Sequence, residues 1–135
     1  MAIQVLNPTG LLEPQGYAHV SVATGSRFVH IAGQVAQDVD GAVVGPGDLA
    51  AQTAQAFTNV SHALAGAGAT FADVAKTTIY VVDWRPEKMA ELLGGFGRVA
   101  GELGIDPLRP TTLIGVAALA SPDLLIEVEV TAVLP

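Results

Sequence analysis

Apolar and polar residues recur with a period of two in several short stretches and near 3.6 in two longer ones, which divides the chain into strands and helices. In the run 17–23, Ala18, Val20 and Val22 share one side while Tyr17, His19 and Ser21 share the other, the pattern of a half-buried strand. Thr24-Gly25-Ser26 reads as a turn, and 27–32 as the return strand of a hairpin that ends at Gly33-Gln34. Asp40-Gly41 marks a second turn before a short strand over 42–44. Gly45-Pro46-Gly47 then breaks the chain and leaves Asp48 placed to cap a helix.

Residues 49–66 carry Leu49, Ala56, Val60, Ala63 and Leu64 near one stripe, with Phe57 beside it, which predicts an amphipathic helix ended by Gly66 and Gly68. The β-branched and aromatic run 75–83 predicts a strand. Pro86 suits the first turn of a second helix, expected to reach about Leu103. Gly94, Gly95 and Gly97 weaken its middle by about 1 kcal/mol each relative to alanine, and such glycines permit another backbone to come close. Residues 111–118 and 124–134 are the last two strands. The order β-β-β-α-β-α-β-β predicts an α+β protein, a mixed β-sheet with two helices packed on one face. The other face must be wet or covered by another molecule.

Composition adds an expectation about that face. A chain of 135 residues suits a single domain over 1–135 with one core. Half its residues are apolar and 14% are charged, against about a quarter in an ordinary soluble domain. The apolar surplus predicts a homo-oligomer, with partner subunits on the open face. The longest apolar run, Leu113 to Ala120, contains Gly115 and falls far short of the roughly 20 residues of a membrane span. The opening residues Met-Ala-Ile-Gln-Val do not read as a signal peptide. The absence of cysteine excludes disulfides, thiolate nucleophiles and Cys-based zinc sites and fits a reducing compartment, so a cytoplasmic location is expected. A net charge of −7 with six Lys and Arg argues against a nucleic-acid partner.

In Ile126-Glu-Val-Glu, a strand sets Glu127 and Glu129 on one face, about 6.6 Å apart along the chain, and Ile126, Val128 and Val130 on the other. A carboxylate facing a pocket can activate water, whereas a solvated or salt-bridged strand face needs no such role. His19, His30 and His62 lack metal-ligand spacing, although His19 and His30 fall on the two strands of the expected hairpin; no metal is expected. Neither GxSxG nor GxxxxGK[ST] occurs, and Gly94-Gly95-Phe96-Gly97 reads as structural. The Tyr17 hydroxyl is placed either to line a cleft or simply to pack at a rim.

Taken in order, these residues resemble the Rid/YjgF family, the reactive-intermediate deaminases also called liver perchloric-acid-soluble proteins. The resemblance rests on Gly16-Tyr17, Ile31-Ala32-Gly33-Gln34, Asn59-Val60, the run from Val74 to Val81, Pro110 and Ile126-Glu127-Val128-Glu129. It implies a chorismate-mutase-like fold and a homotrimer with a small-molecule cleft at each subunit interface. It implies hydrolysis, without a cofactor, of reactive enamines and imines to 2-keto acids and ammonia. In that family an arginine holds the substrate carboxylate, a glutamate handles the water, and a tyrosine and backbone groups line the pocket. Position by position, Tyr17, Gly33 and Glu127 match, and Ile114 takes the place of the residue whose backbone faces the substrate.

Three positions depart from the pattern. Thr112 stands where the arginine would follow Pro110 by two residues, Ala32 replaces a small serine, and Glu91 aligns with an asparagine on the second helix. Threonine cannot form the bidentate, charge-assisted pair that arginine makes with a carboxylate, a contact worth about 2–5 kcal/mol in a buried pocket. The resemblance therefore implies a deaminase-type hydrolase of a small reactive metabolite other than the usual 2-imino acids. Alternatives are a non-catalytic trimer that binds a small molecule or regulates an enzyme, and an endoribonuclease or translation inhibitor. The last has little support in an acidic chain without a His pair or a Lys/Arg cluster. Arg27, Arg98 and Arg109 are the arginines to follow as substitutes for the missing one.

Overall fold

The computed structural model describes residues 2–135. Six strands and two helices follow one another as β1 (Ala2–Leu6), β2 (Val20–Thr24), β3 (Arg27–Val35), α1 (Leu49–Gly66), β4 (Val74–Val82), α2 (Met89–Leu103), β5 (Thr111–Val116) and β6 (Ile126–Leu134). Four strands form a mixed sheet in the order β3-β6-β4-β5, antiparallel except for the parallel pair β4–β5. Both helices pack on one face of it.

Alternation determines which face that is. Ile126 and Val128 are fully buried and Val130 nearly so, and they share the helix side with Val74, Ile79 and Val81 of β4. Leu49, Ala56, Phe57, Val60 and Leu64 of α1 close on them, and Leu92 does so from α2. Asp48 caps α1 by accepting a hydrogen bond from the Ala51 N–H at 3.0 Å. Gly104, in the left-handed region at φ 68°, ends α2. Of the four glycines inside α2, Gly95 has a packing role: a methyl group there would overlap the Ala50 carbonyl of α1, while one at Gly94, Gly97 or Gly101 would meet nothing.

Several expectations need correction. The run 17–23 and the run 27–32 do not form a hairpin. β2 pairs instead with β1, a strand the periodicity did not reveal, and β3 pairs with β6. The reason lies at the turn, where the Ser26 N–H bonds the Leu134 carbonyl at 2.9 Å and Gly25 presses so close to the end of β6 that a side chain would overlap Leu134. The chain is pinned there to β6, and β2 is held away by the Ser21 hydroxyl, which donates to the Ala75 carbonyl at 2.7 Å. The strand expected over 42–44 is a single bridge between Gln37 and Val43, because the Asp38 carboxylate draws the Asp40 and Ala42 N–H groups into a tight loop. Polar Gln52 and Thr53 are fully buried inside α1. Gln52 is satisfied by the Gly45 and Asp123 carbonyls and the Leu125 N–H, which fastens two loops to the helix.

Candidate functional site

The face of the sheet away from the helices carries polar side chains in register. Thr78 lies opposite Glu129 and Tyr80 opposite Glu127 across β4 and β6, and Thr78 and Tyr80 lie beside Thr112 and Ile114 across β4 and β5. Glu127 and Glu129 thus share this face, as alternation predicts. At the outer edge, β3 bulges between Ile31 and Gln34, a segment that contains Ala32 and Gly33. The bulge brings Gly33 under Glu127 so closely that any side chain at Gly33 would overlap the carboxylate. Asn59 holds the end of that strand, donating from Nδ2 to the carbonyls of Val35 and Gln37 at 2.8 and 2.9 Å. The residue that enters the family resemblance at 59 is therefore structural: it anchors the backbone against which Glu127 rests.

Two contacts on this face were not anticipated. The Tyr80 hydroxyl donates to Glu129 Oε1 at 2.6 Å, and that bond, with smaller contributions from burial and the neighbouring carboxylates, raises the phenol above its ordinary value. Lys76 Nζ donates to Thr112 Oγ1 at 2.6 Å. Burial lowers the Lys76 ammonium below its ordinary value, against the upward pull of Glu129. The signal for both was the period-two set Lys76, Thr78, Tyr80 in a run whose β-branched content drew attention to burial instead.

The expected site residues divide. Glu127, Gly33 and Ala32 meet at the β3 side of the sheet. Thr112 and Ile114 lie on the same face along β5, the opposite edge, about 10 Å away across two strand spacings. Tyr17 is on the helix side: its ring meets His19 edge-on at 5.3 Å, and it lines an apolar cavity of about 580 Å³ with Phe57, Phe71, Leu92 and Phe96. Glu91 is exposed in the first turn of α2, where its charge suits the helix N-terminus. A shallower concavity of about 500 Å³ runs from Gly33 to Asn59 and His62. Glu127 lines neither.

None of the three arginines bonds Thr112. Arg27 donates to the Pro135 carbonyl, Arg109 to Asp106 and the Val74 carbonyl, and Arg98 is exposed on α2. The histidines stand apart as well: His19 Nε2 meets the Leu12 carbonyl at 2.6 Å, His30 stacks on Phe28, and His62 is exposed on α1. Among the described residues no three His, Asp or Glu side chains converge to hold a metal ion, and no helix is long and apolar enough to cross a membrane.

Two helices on one face of a mixed sheet, with a glutamate seated over a glycine bulge on the other, define a small α+β scaffold of the chorismate-mutase-like kind. Residues 12–134 match the family described as Endoribonuclease L-PSP, and the chain belongs to that family, the Rid/YjgF proteins. The Rid-family protein YyfB of Yersinia pestis, described as of unknown function, is 43% identical, with 99% of this chain and 100% of that one covered and a TM-score of 0.87. The 3-aminoacrylate deaminase RutC of Acinetobacter baylyi is 27% identical over 95% of each chain. A RutC family protein of Pyrococcus abyssi is 29% identical over 98% of each.

Proposed function

We propose that this protein is a hydrolase of small imines or enamines, with Glu127 as the residue that handles water, acting at sites shared between subunits of a homotrimer. The observation that carries the reading is the seating of the Glu127 carboxylate over the side-chain-free Gly33 bulge. A carboxylate so placed, beside open backbone groups, is suited to orient a water molecule and take its proton. The water oxygen bonds to the imine carbon and its proton passes through Glu127 to the nitrogen. The second proton of that water, now on the carbinolamine hydroxyl, moves to the nitrogen as the C–N bond breaks, releasing ammonia and leaving a carbonyl. A relative that is a 3-aminoacrylate deaminase supports chemistry of this type.

The division of the expected residues supports a shared site. Glu127 with Gly33, and Thr112 with Ile114, lie toward opposite edges of one sheet, while Tyr17 is on its other side. One chain cannot close all of them around a small molecule, whereas the β3 side of one copy against the β5 edge of another can. Phe28, 70% exposed, and Ile114, 39% exposed, give the open face apolar contacts for such packing. Thr112 offers no guanidinium fork, so 2-iminobutanoate-like acids are expected to be poor substrates.

Glu127→Gln tests the reading. Turnover of a panel of freshly generated imines and enamines, followed by ammonia release, is expected to fall about 10²–10⁴-fold with the sedimentation behaviour unchanged. Turnover retained in Glu127→Gln, or absent from the unmodified protein across the panel, overturns it. Gly33→Ala, which forces the carboxylate aside, should lose activity in the same direction.

A further inference from the structure

Of the six Lys and Arg, Lys76 is the one on the open face of the sheet, on β4, with Thr131 of β6 opposite it, Glu129 one position further along that face and the hydroxyl of Thr112 on β5 at its other side. Arg85 and Lys88 pair with Asp83, and Arg109 pairs with Asp106. Lys76 has no carboxylate within 4.0 Å among the described residues. Its ammonium is turned to neutral oxygens: Thr112 Oγ1 at 2.6 Å, the Thr77 carbonyl at 3.2 Å and Thr78 Oγ1 at 3.5 Å. Glu129, the nearest acidic influence, instead accepts the Tyr80 hydroxyl.

The hydrogen bonding leaves two donors free. Lys76 gives a proton to Thr112 Oγ1, so that the hydroxyl acts as acceptor toward the lysine and its own hydrogen is left to donate elsewhere. The contact to Thr78 is at the limit of a hydrogen bond, which leaves that ammonium proton available to a stronger acceptor. A partly desolvated ammonium with only neutral partners gains from an incoming anion. Thr112 is exposed on the edge strand β5, so a ligand can reach the pair.

We infer that Lys76 and Thr112 form a two-donor seat for one oxygen of an anionic group on the ligand. Lysine is a point charge without a planar fork, so the group is held end-on through a single oxygen rather than bidentately. The seat does not replace the arginine geometry; it gives the protein a weaker and less shape-selective hold on anions. The inference deepens the reading above, since it places the seat on the same face as Glu127, and it is tested by binding rather than by turnover.

The probe is 2-oxobutanoate, the keto acid left by hydrolysis of a four-carbon 2-imino acid. Its affinity is measured by ligand-observed NMR on the intact assembly, with sedimentation run on every variant. Lys76→Met is expected to weaken binding by about tenfold or more and Thr112→Val by a smaller factor, with Lys76→Arg recovering most of the loss. Affinity should also fall with added salt. As pH rises, binding should be lost at a pH below 10.5, where the lowered Lys76 ammonium gives up its proton, and Lys76→Arg should remove that loss. Glu127 and Glu129 of β6, Tyr80 of β4 and His30 of β3 are the other titratable groups on the face, and none is a cation that arginine at position 76 would replace. Wild-type affinity in Lys76→Met, no recovery in Lys76→Arg, or no binding of 2-oxobutanoate by the unmodified protein overturns the inference. The two proposals fail separately: turnover that survives Glu127→Gln removes the catalytic reading alone, and binding that survives Lys76→Met removes the seat alone.

Discussion

The two faces of the four-stranded sheet are built from alternate residues of the same strands, and they obey different rules. Toward the helices, Ile126, Val128, Val130, Ile79 and Val81 are buried apolar residues whose neighbours are interchangeable in kind. On the other side, Lys76, Thr78, Thr112, Tyr80 and Glu129 meet specific partners through hydrogen bonds of defined length, and Glu127 is seated over Gly33. The first face stabilises by area removed from water, the second by pairing. Substitutions one residue apart along β6 should therefore have unlike consequences: Ile126→Ala is expected to cost about 2–5 kcal/mol in chemical denaturation, because it opens a cavity under α1. Glu127→Gln next to it should change activity and leave the denaturation midpoint nearly in place. Equal loss of stability from both would dissolve the distinction between the faces.

That distinction also explains what was legible in the sequence. Period-two alternation identified β6 and the shared face of Glu127 and Glu129, because burial on one side of a strand imposes it. The stripe on 49–66 and the stop at Leu103 follow from local physics as well. The hairpin assigned to 17–32 did not form, since the partner of β3 is β6, about a hundred residues later, and no local pattern encodes that choice. β1 escaped notice because Ala2 to Leu6 carry a single polar residue, Gln4, among apolar ones and so show no alternation. The contacts of Lys76 with Thr112 and of Tyr80 with Glu129 depend on cross-strand register, which emerges only once the strand order is known. Family resemblance singled out Glu127, Gly33 and Tyr17 without saying that the first two touch or that Tyr17 lies behind the sheet, both of which depend on the strand order.

A smaller effect sharpens the helix side of the comparison. Gly95 and Gly97 are two positions apart in α2, and alanine has the same intrinsic advantage at each. At Gly97 nothing stands within 4 Å of the added methyl group, so Gly97→Ala should stabilise by about 0.5–1 kcal/mol. At Gly95 the methyl group would overlap the Ala50 carbonyl, which is backbone and cannot turn aside, so Gly95→Ala should destabilise by about 1–3 kcal/mol through separation of the helices. Thermal melts of the two variants should shift in opposite directions; a shared direction would show that α1 and α2 are not in close contact at this point.

The smallest effect concerns the open face and is spectroscopic. A carboxylate that accepts the Tyr80 proton stabilises the neutral phenol, both through the hydrogen bond and by opposing a second negative charge, so the phenol ionises above its ordinary value of 10.0. The stability contributed by this bond is complete below that value and is lost as pH rises from there through the raised one. Glu129→Gln keeps the size of the side chain and an oxygen to accept the bond but removes the charge, so the Tyr80 titration should move back toward 10.0. Glu127→Gln should move it less, because the Glu127 carboxylate is the last and smallest of the causes and makes no bond to the hydroxyl. Ring-carbon NMR shifts of Tyr80, assigned by comparison with Tyr80→Phe, would follow both. If the two glutamine variants moved the phenol equally, the pairing of Tyr80 with Glu129 would not be specific, and this face would be a diffuse acidic surface instead of a set of partnered groups.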